Sequence, residues 1–83
     1  MSDKKCKVTV EIFGESYPLK GDANMEHIIK TAALVDERMR KIARTNARLS
    51  PAKIAVLAAL NLADEFVRLE TDYQELLELL DKK

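Results

Sequence analysis

The chain has 83 residues, of which 47% are hydrophobic and only 5% aromatic, with fourteen basic side chains balanced by fourteen acidic ones. That length holds one small domain, and a chain of this size buries only about 60% of the surface exposed when unfolded, so part of its stability is expected from neighbouring copies. The apolar content excludes a disordered chain, and zero net charge argues against a general binder of nucleic acid or anionic membrane. A lone Cys6 excludes an intramolecular disulfide framework and suits a reducing compartment.

The charged start, Met-Ser-Asp-Lys-Lys, leads into alternating residues instead of an apolar run, so secretion is not expected. The longest uncharged apolar stretch, Ile54 to Ala63, is ten residues, where a membrane-spanning helix needs about 20. A cytoplasmic protein with no membrane insertion is the expectation.

From Lys7 to Phe13, Val8, Val10 and Ile12 alternate with Lys7, Thr9 and Glu11, the period-two pattern of a half-buried strand. Gly14-Glu15-Ser16 reads as a turn, and Tyr17-Pro18-Leu19-Lys20 as a short returning strand that Pro18 confines to an edge or bulge. The result is a hairpin over residues 6–20. Because an isolated hairpin is marginal in water, it must lie on a helix or pair with another chain.

Either Asp22 or Asn24 can cap the next element, a helix over 24–45. Its apolar stripe is Met25, Ile28, Ile29, Ala32, Val35, Met39, Ile42 and Ala43, opposite Glu26, Lys30, Glu37, Lys41 and Arg44. Ser50-Pro51 then opens a second helix, with Ser as cap and Pro at the first helical position. No Gly or Pro occurs after Pro51, so this helix should run for about 30 residues and roughly 45 Å, farther than so small a domain can cover.

That helix has two regimes. Residues 51–60 belong with the head (1–60), and the stretch from Ile54 to Ala63 is apolar nearly all round, as in a helix enclosed on several sides. Over 61–83, Leu62, Phe66, Leu69, Tyr73, Leu76 and Leu80 are spaced by 4, 3, 4, 3 and 4 residues, a coiled-coil seam. Continued backwards, the seam meets Ala59, Ala55 and Ala52, small residues that allow close helix approach. These nine positions are the expected self-association residues. Leu77 and Leu79 widen the stripe, which favours a bundle over a simple pair. The fold class is therefore α+β: a small head with a β-hairpin and a helix, followed by a long C-terminal coiled-coil helix.

Charge is partitioned along the chain. Residues 1–53 hold eleven basic and seven acidic side chains, a net of +4, and residues 54–83 hold three and seven, a net of −4. Arg38 to Lys53 contains six basic residues and no acid. Such a run is explained by a solvated face near a helix C-terminus, by an acidic protein partner or by nucleic acid; it lacks the aromatics that stack on bases.

No catalytic constellation is present: one His, one Cys, no Gly-rich phosphate loop and no set of residues at metal-ligand spacing. His27 reads as a solvated helix-start residue and Cys6 as a small strand residue. Neither an enzyme nor a cofactor is expected. Asn61, Asp64 and Arg68 share a face of the second helix. An Asp64–Arg68 pair is the simple reading; in the alternative, Asn61 satisfies backbone groups of the head and Asp64 pairs with Arg38.

Three strings are specific: Ile12-Phe13-Gly14-Glu15-Ser16-Tyr17, Val35-Asp36-Glu37-Arg38-Met39, and the run from Leu49 to Glu65, LSPAKIAVLAALNLADE. Together they resemble the bacterial cell-division family ZapA, of the short-tailed kind, over nearly the whole chain. The resemblance implies head-mediated homodimers joined through their coiled coils into an antiparallel homotetramer. It further implies binding to the tubulin-like GTPase FtsZ, crosslinking and bundling of its protofilaments, and assembly of the Z-ring at midcell. An acidic FtsZ partner would make Arg38, Lys41, Arg44 and Arg48, with Lys20 and Glu15 near the turn, the candidate contacts. The competing reading is a small basic-headed nucleic-acid-associated or regulatory dimer.

Overall fold

A computed structural model describes residues 6–21 and 24–81. Four elements follow one another: β1 (Cys6–Ile12), β2 (Glu15–Gly21), α1 (Met25–Thr45) and α2 (Pro51–Asp81). The two strands form an antiparallel hairpin in which Val8 faces Leu19, Val10 faces Tyr17 and Ile12 faces Glu15. The expected α+β architecture is therefore the observed one, and Cys6 opens β1 as expected.

The turn differs from the expected Gly14-Glu15-Ser16. It is the two-residue link Phe13-Gly14, both at positive φ (51° and 82°), and Glu15 and Ser16 already pair in β2. A two-residue connection with both residues left-handed, as in a type I′ turn, matches the twist of the strands. Gly14 supplies that conformation freely, and its Cα hydrogens face open space, so glycine serves the dihedral and not the packing. Phe13 adopts the same region at a cost of about 1–2 kcal/mol.

What offsets that cost is the Asp36 carboxylate on α1, which accepts the Phe13 N–H at 2.7 Å. The same carboxylate accepts Arg40 Nε at 3.0 Å to each oxygen, and the Arg40 guanidinium lies 5.9 Å from the centre of the Phe13 ring, within cation–π range. Two of the three strings singled out in the sequence thus meet at one point.

Asn24 caps α1: its side chain accepts the His27 N–H at 2.8 Å. Asp22, the other candidate, lies outside the described residues. Ser50 caps α2, accepting the Lys53 N–H at 3.2 Å. The single-chain core is small. Met39 of α1 packs on Ile54 and Ala58 of α2, with Ile12, Phe13, Val35, Ile42, Ala43 and Leu49 around them, and Val10 and Ala32 bury the hairpin on α1. Met25 and Ile29, expected on the buried stripe, are half exposed; the apolar stripe of α1 is wider than the face the hairpin and α2 cover.

The Phe13 amide, and then Arg40, hold the Asp36 carboxyl below its ordinary value of 3.8, partial burial opposing them. A depressed carboxyl stabilises the fold fully above the unfolded pKa and ceases to do so as pH falls through the folded one. Acid titration followed by circular dichroism should therefore show a loss of stability beginning near pH 4 that is smaller in Asp36→Asn.

Candidate functional site

Two kinds of surface are candidates for function: apolar faces that the single chain leaves open, and cations that it leaves unpaired. The apolar surface is continuous. Ile54 and Ala58 are the buried positions of α2, Leu62 is half-buried, and Ala52, Ala55 and Ala59 are exposed. Beyond them Phe66 (61% exposed), Leu69, Tyr73, Leu76 and Leu80 (72%) form one uncovered stripe, widened by Leu77 and Leu79. A monomer rarely leaves so long an apolar face in water. The heptad-spaced residues thus lie uncovered along one helix that continues to Asp81.

At its head end this stripe opens into a groove of about 630 Å³. The hairpin contributes Ile12, Phe13, Glu15, Tyr17 and Leu19, α1 contributes Met39, and α2 contributes Pro51, Ala52 and Ala55. Tyr17 and Leu19 share the inward face of the hairpin with Val8 and Val10, yet remain about 40% exposed because α1 covers β1 and leaves β2 overhanging. Sequence reasoning missed this groove. The alternation identified the inward face, but not that the neighbouring helix covers only half of it.

The six candidate contact residues do not form one patch. Glu15 stands on the groove. Lys20 lies at the other end of the hairpin, directly opposite Lys7. Arg44 is in the last turn of α1 and Arg48 in the connection to α2, both exposed. Lys41 shares a cleft between α1 and α2 with Arg38, Glu37, Thr45, Asn61 and Glu65.

Arg38 is already engaged. Its guanidinium donates to Asn61 Oδ1 at 2.7 Å and to both Glu65 oxygens, at 2.6 and 3.1 Å, with the Arg38 side chain only 19% exposed. The simple reading of the Asp64–Arg68 pair is the observed one, at 2.9 Å, and the alternative Arg38–Asp64 pair is not formed, because Asn61 and Glu65, four residues apart, present to α1. Asn61 correspondingly accepts from a side chain and not from the backbone. The bidentate geometry is the strong form of this contact; Glu65 is half exposed, so solvent screens it. Arg40, a member of the basic run, is likewise occupied by Asp36. Lys41, Arg44, Arg48 and Lys53 form no ion pair among the described residues.

His27 is exposed, and no three His, Cys, Asp or Glu side chains gather as a metal would require among the described residues. No helix among them is long and apolar enough to cross a membrane.

These features define a class: a hairpin-and-helix head carrying a long helix with one open apolar edge. The family model described as Cell division protein ZapA matches residues 8–83. The chain is 38% identical over 80 residues to Cell division protein ZapA of Geobacillus sp. strain WCH70, spanning 96% of this chain and 92% of that protein. It is 36% identical over 80 residues to the counterpart in Bacillus thuringiensis strain Al Hakam, spanning 96% and 90%. Its fold is similar to that of a ZapA mutant dimer from Geobacillus stearothermophilus, with a TM-score of 0.76 and 36% identity over 98% of this chain and 94% of the other. The chain belongs to the ZapA family of cell division proteins.

The Arg38 contact gives a prediction for the arm. Arg38→Ala should leave the head folded but raise amide hydrogen exchange around Asn61–Glu65 severalfold, and Glu65→Gln should do so less, since the Asn61 bond and one oxygen acceptor remain. Unchanged exchange in Arg38→Ala would show that the contact does not hold α2.

Proposed function

We propose that this protein is a non-enzymatic crosslinker of FtsZ filaments, acting in the cytoplasm at the midcell division ring. The observation that carries the reading is the open apolar stripe from Ala52 to Leu80 in a member of the ZapA family. A particle that bundles filaments needs at least two equivalent binding heads held apart, and closed symmetric assembly through such a stripe supplies them.

In this reading a second copy fills the groove beside Tyr17, Leu19, Ala52 and Ala55, making a homodimer. The groove runs directly into the α2 stripe, so one partner helix can cover both, and the similar solved structure is that of a ZapA dimer. Two such dimers then join through Phe66, Leu69, Tyr73, Leu76 and Leu80 in residues 61–83, giving an antiparallel homotetramer with heads at both ends.

The heads present Lys41, Arg44 and Arg48, cations without an internal partner among the described residues, to an acidic filament surface, with Glu15 and Lys20 as separate candidate contacts on the hairpin. Arg38 contributes by holding α2, its guanidinium being already bound. The reading includes neither cofactor nor nucleic acid.

The purified protein should co-sediment with polymerised FtsZ and raise the light scattering of its filaments. Neither effect at micromolar protein would refute the reading, and a salt-sensitive shift of duplex DNA in their place would favour the basic-headed nucleic-acid dimer instead. Replacing Arg44 and Arg48 together by Ala should weaken co-sedimentation about tenfold at low salt and less at high salt. Leu76→Glu should halve the particle mass in sedimentation equilibrium and abolish bundling, while leaving the head folded and single filaments still bound.

A further inference from the structure

The contact of Asp36 and Arg40 with the hairpin turn serves the groove as well as the turn. Phe13 touches three things at once. Its N–H donates to Asp36 Oδ1 at 2.7 Å, its ring lies 5.9 Å from the Arg40 guanidinium, and its side chain both packs on the Met39–Ile54–Ala58 core and lines the groove. A phenylalanine at φ +51° does not hold that backbone by its own preference; the surrounding structure must hold it. Returned to an extended backbone, residue 13 would no longer connect β1 and β2 in their register, and the ring would leave its place between α1 and the groove.

We propose that Asp36 and Arg40 are positioning residues for self-association: they fix Phe13 in its left-handed conformation and so set the wall of the groove that receives the second copy. This rests on the reading of the groove as a dimer interface. The division of labour follows from the chemistry of each group. Asp36 supplies the acceptor that fixes the backbone of residue 13. Arg40, four residues on, fixes the carboxylate by donating Nε–H to both its oxygens at 3.0 Å, and its guanidinium face restrains the ring. Glu15, at the groove rim, is the charged side chain that the hairpin brings to this groove, and the α2 residues lining it, Pro51, Ala52 and Ala55, are uncharged. Arg40 is thus the cation the structure sets against Asp36.

The arrangement also accounts for an otherwise costly choice of residue. Asn or Gly at position 13 would make the turn without assistance; a bulky ring held there by a carboxylate makes the turn and builds an apolar wall at the same place.

The test uses the full chain in sedimentation equilibrium, with amide exchange at Phe13 read by NMR in the same samples. Asp36→Ala should raise the dimer dissociation constant about tenfold and unprotect the Phe13 amide. Asp36→Asn keeps an acceptor for that amide and should recover affinity to within about threefold of the parent. Arg40→Gln should weaken the dimer about threefold. Below pH 4 the parent dimer should weaken where Asp36→Asn shows a flatter profile. A parent-like dissociation constant in Asp36→Ala, with the Phe13 amide unprotected, would overturn the positioning role while leaving the crosslinker reading intact. Should Asp36→Ala fail to fold by circular dichroism, Arg40→Gln decides: parent-like dimerisation overturns the proposal, and the threefold loss upholds it. A parent chain that stays monomeric at every concentration overturns this proposal together with the dimer reading on which it rests.

Discussion

The head is organised by one helix crossing, where Met39 of α1 meets Ile54 and Ala58 of α2. Ala58 is 1% exposed, and its small side chain is what lets α1 approach closely enough for Met39 to reach Ile54. The hairpin is then placed by its own contacts to α1, through Val10 and Ala32 on the apolar side and Asp36 at the turn. Remove the crossing and the hairpin keeps only α1, too little to hold a two-stranded sheet. The smallness of this core is the constraint behind everything else. Among the described residues five apolar side chains are buried, while much larger ones along α2 stand in water, a surface that the proposed second chain would cover.

How much of this could be read from the sequence depended on whether a feature was local. Alternation along Val8, Val10 and Ile12, the Ser50-Pro51 helix start and the 3–4 spacing of apolar residues on α2 are all properties of neighbouring residues and appear where they were expected, and of the two cap candidates for α1 Asn24 is the one seen. The turn was displaced by one residue because a phenylalanine at positive φ is locally disfavoured, and the carboxylate that makes it tolerable comes from twenty-three positions away. The same holds for Arg38. Its charge suggested an external partner, but Asn61 and Glu65 claim it across the helix crossing, and which of Asp64 or Glu65 faces α1 depends on the rotation of α2, set by Ile54 and Ala58. The candidate contact residues were chosen by charge, which says nothing about position, and they lie in several separate places.

The rotation of α2 has a further consequence. At about 100° per residue, Ile54, Ala58, Asn61 and Glu65 fall on one side of the helix, facing α1. Ala55, Ala59, Phe66 and Tyr73 fall about a quarter turn away. The side of the helix that serves the head is therefore distinct from the side offered to the proposed second chain, and Leu62, half-buried, lies between them. Arg38 prolongs the head's hold on α2 by polar contact two turns past Ala58, where apolar contact has run out. Beyond Glu65 the side chains of the helix are exposed among the described residues, and a segment of this length is marginal by itself in water.

Charge favours one orientation for a second arm laid along this one in the proposed assembly. The first turn of α2 carries no acid and contains Lys53, and the last turn carries Glu78 and Asp81 without a base; each end of the helix thus bears the sign its dipole disfavours. Residues 54–83 remain at −4 with Lys82 and Lys83 included. Laid parallel, two such arms would bring like charges together along their length. Laid antiparallel through residues 61–83 as proposed, the acidic end of each arm is carried away from that of the other and toward the basic head. The head–tail partition of charge, invisible in a net charge of zero, thereby favours the arrangement that puts heads at opposite ends of the particle, which is the arrangement a crosslinker requires.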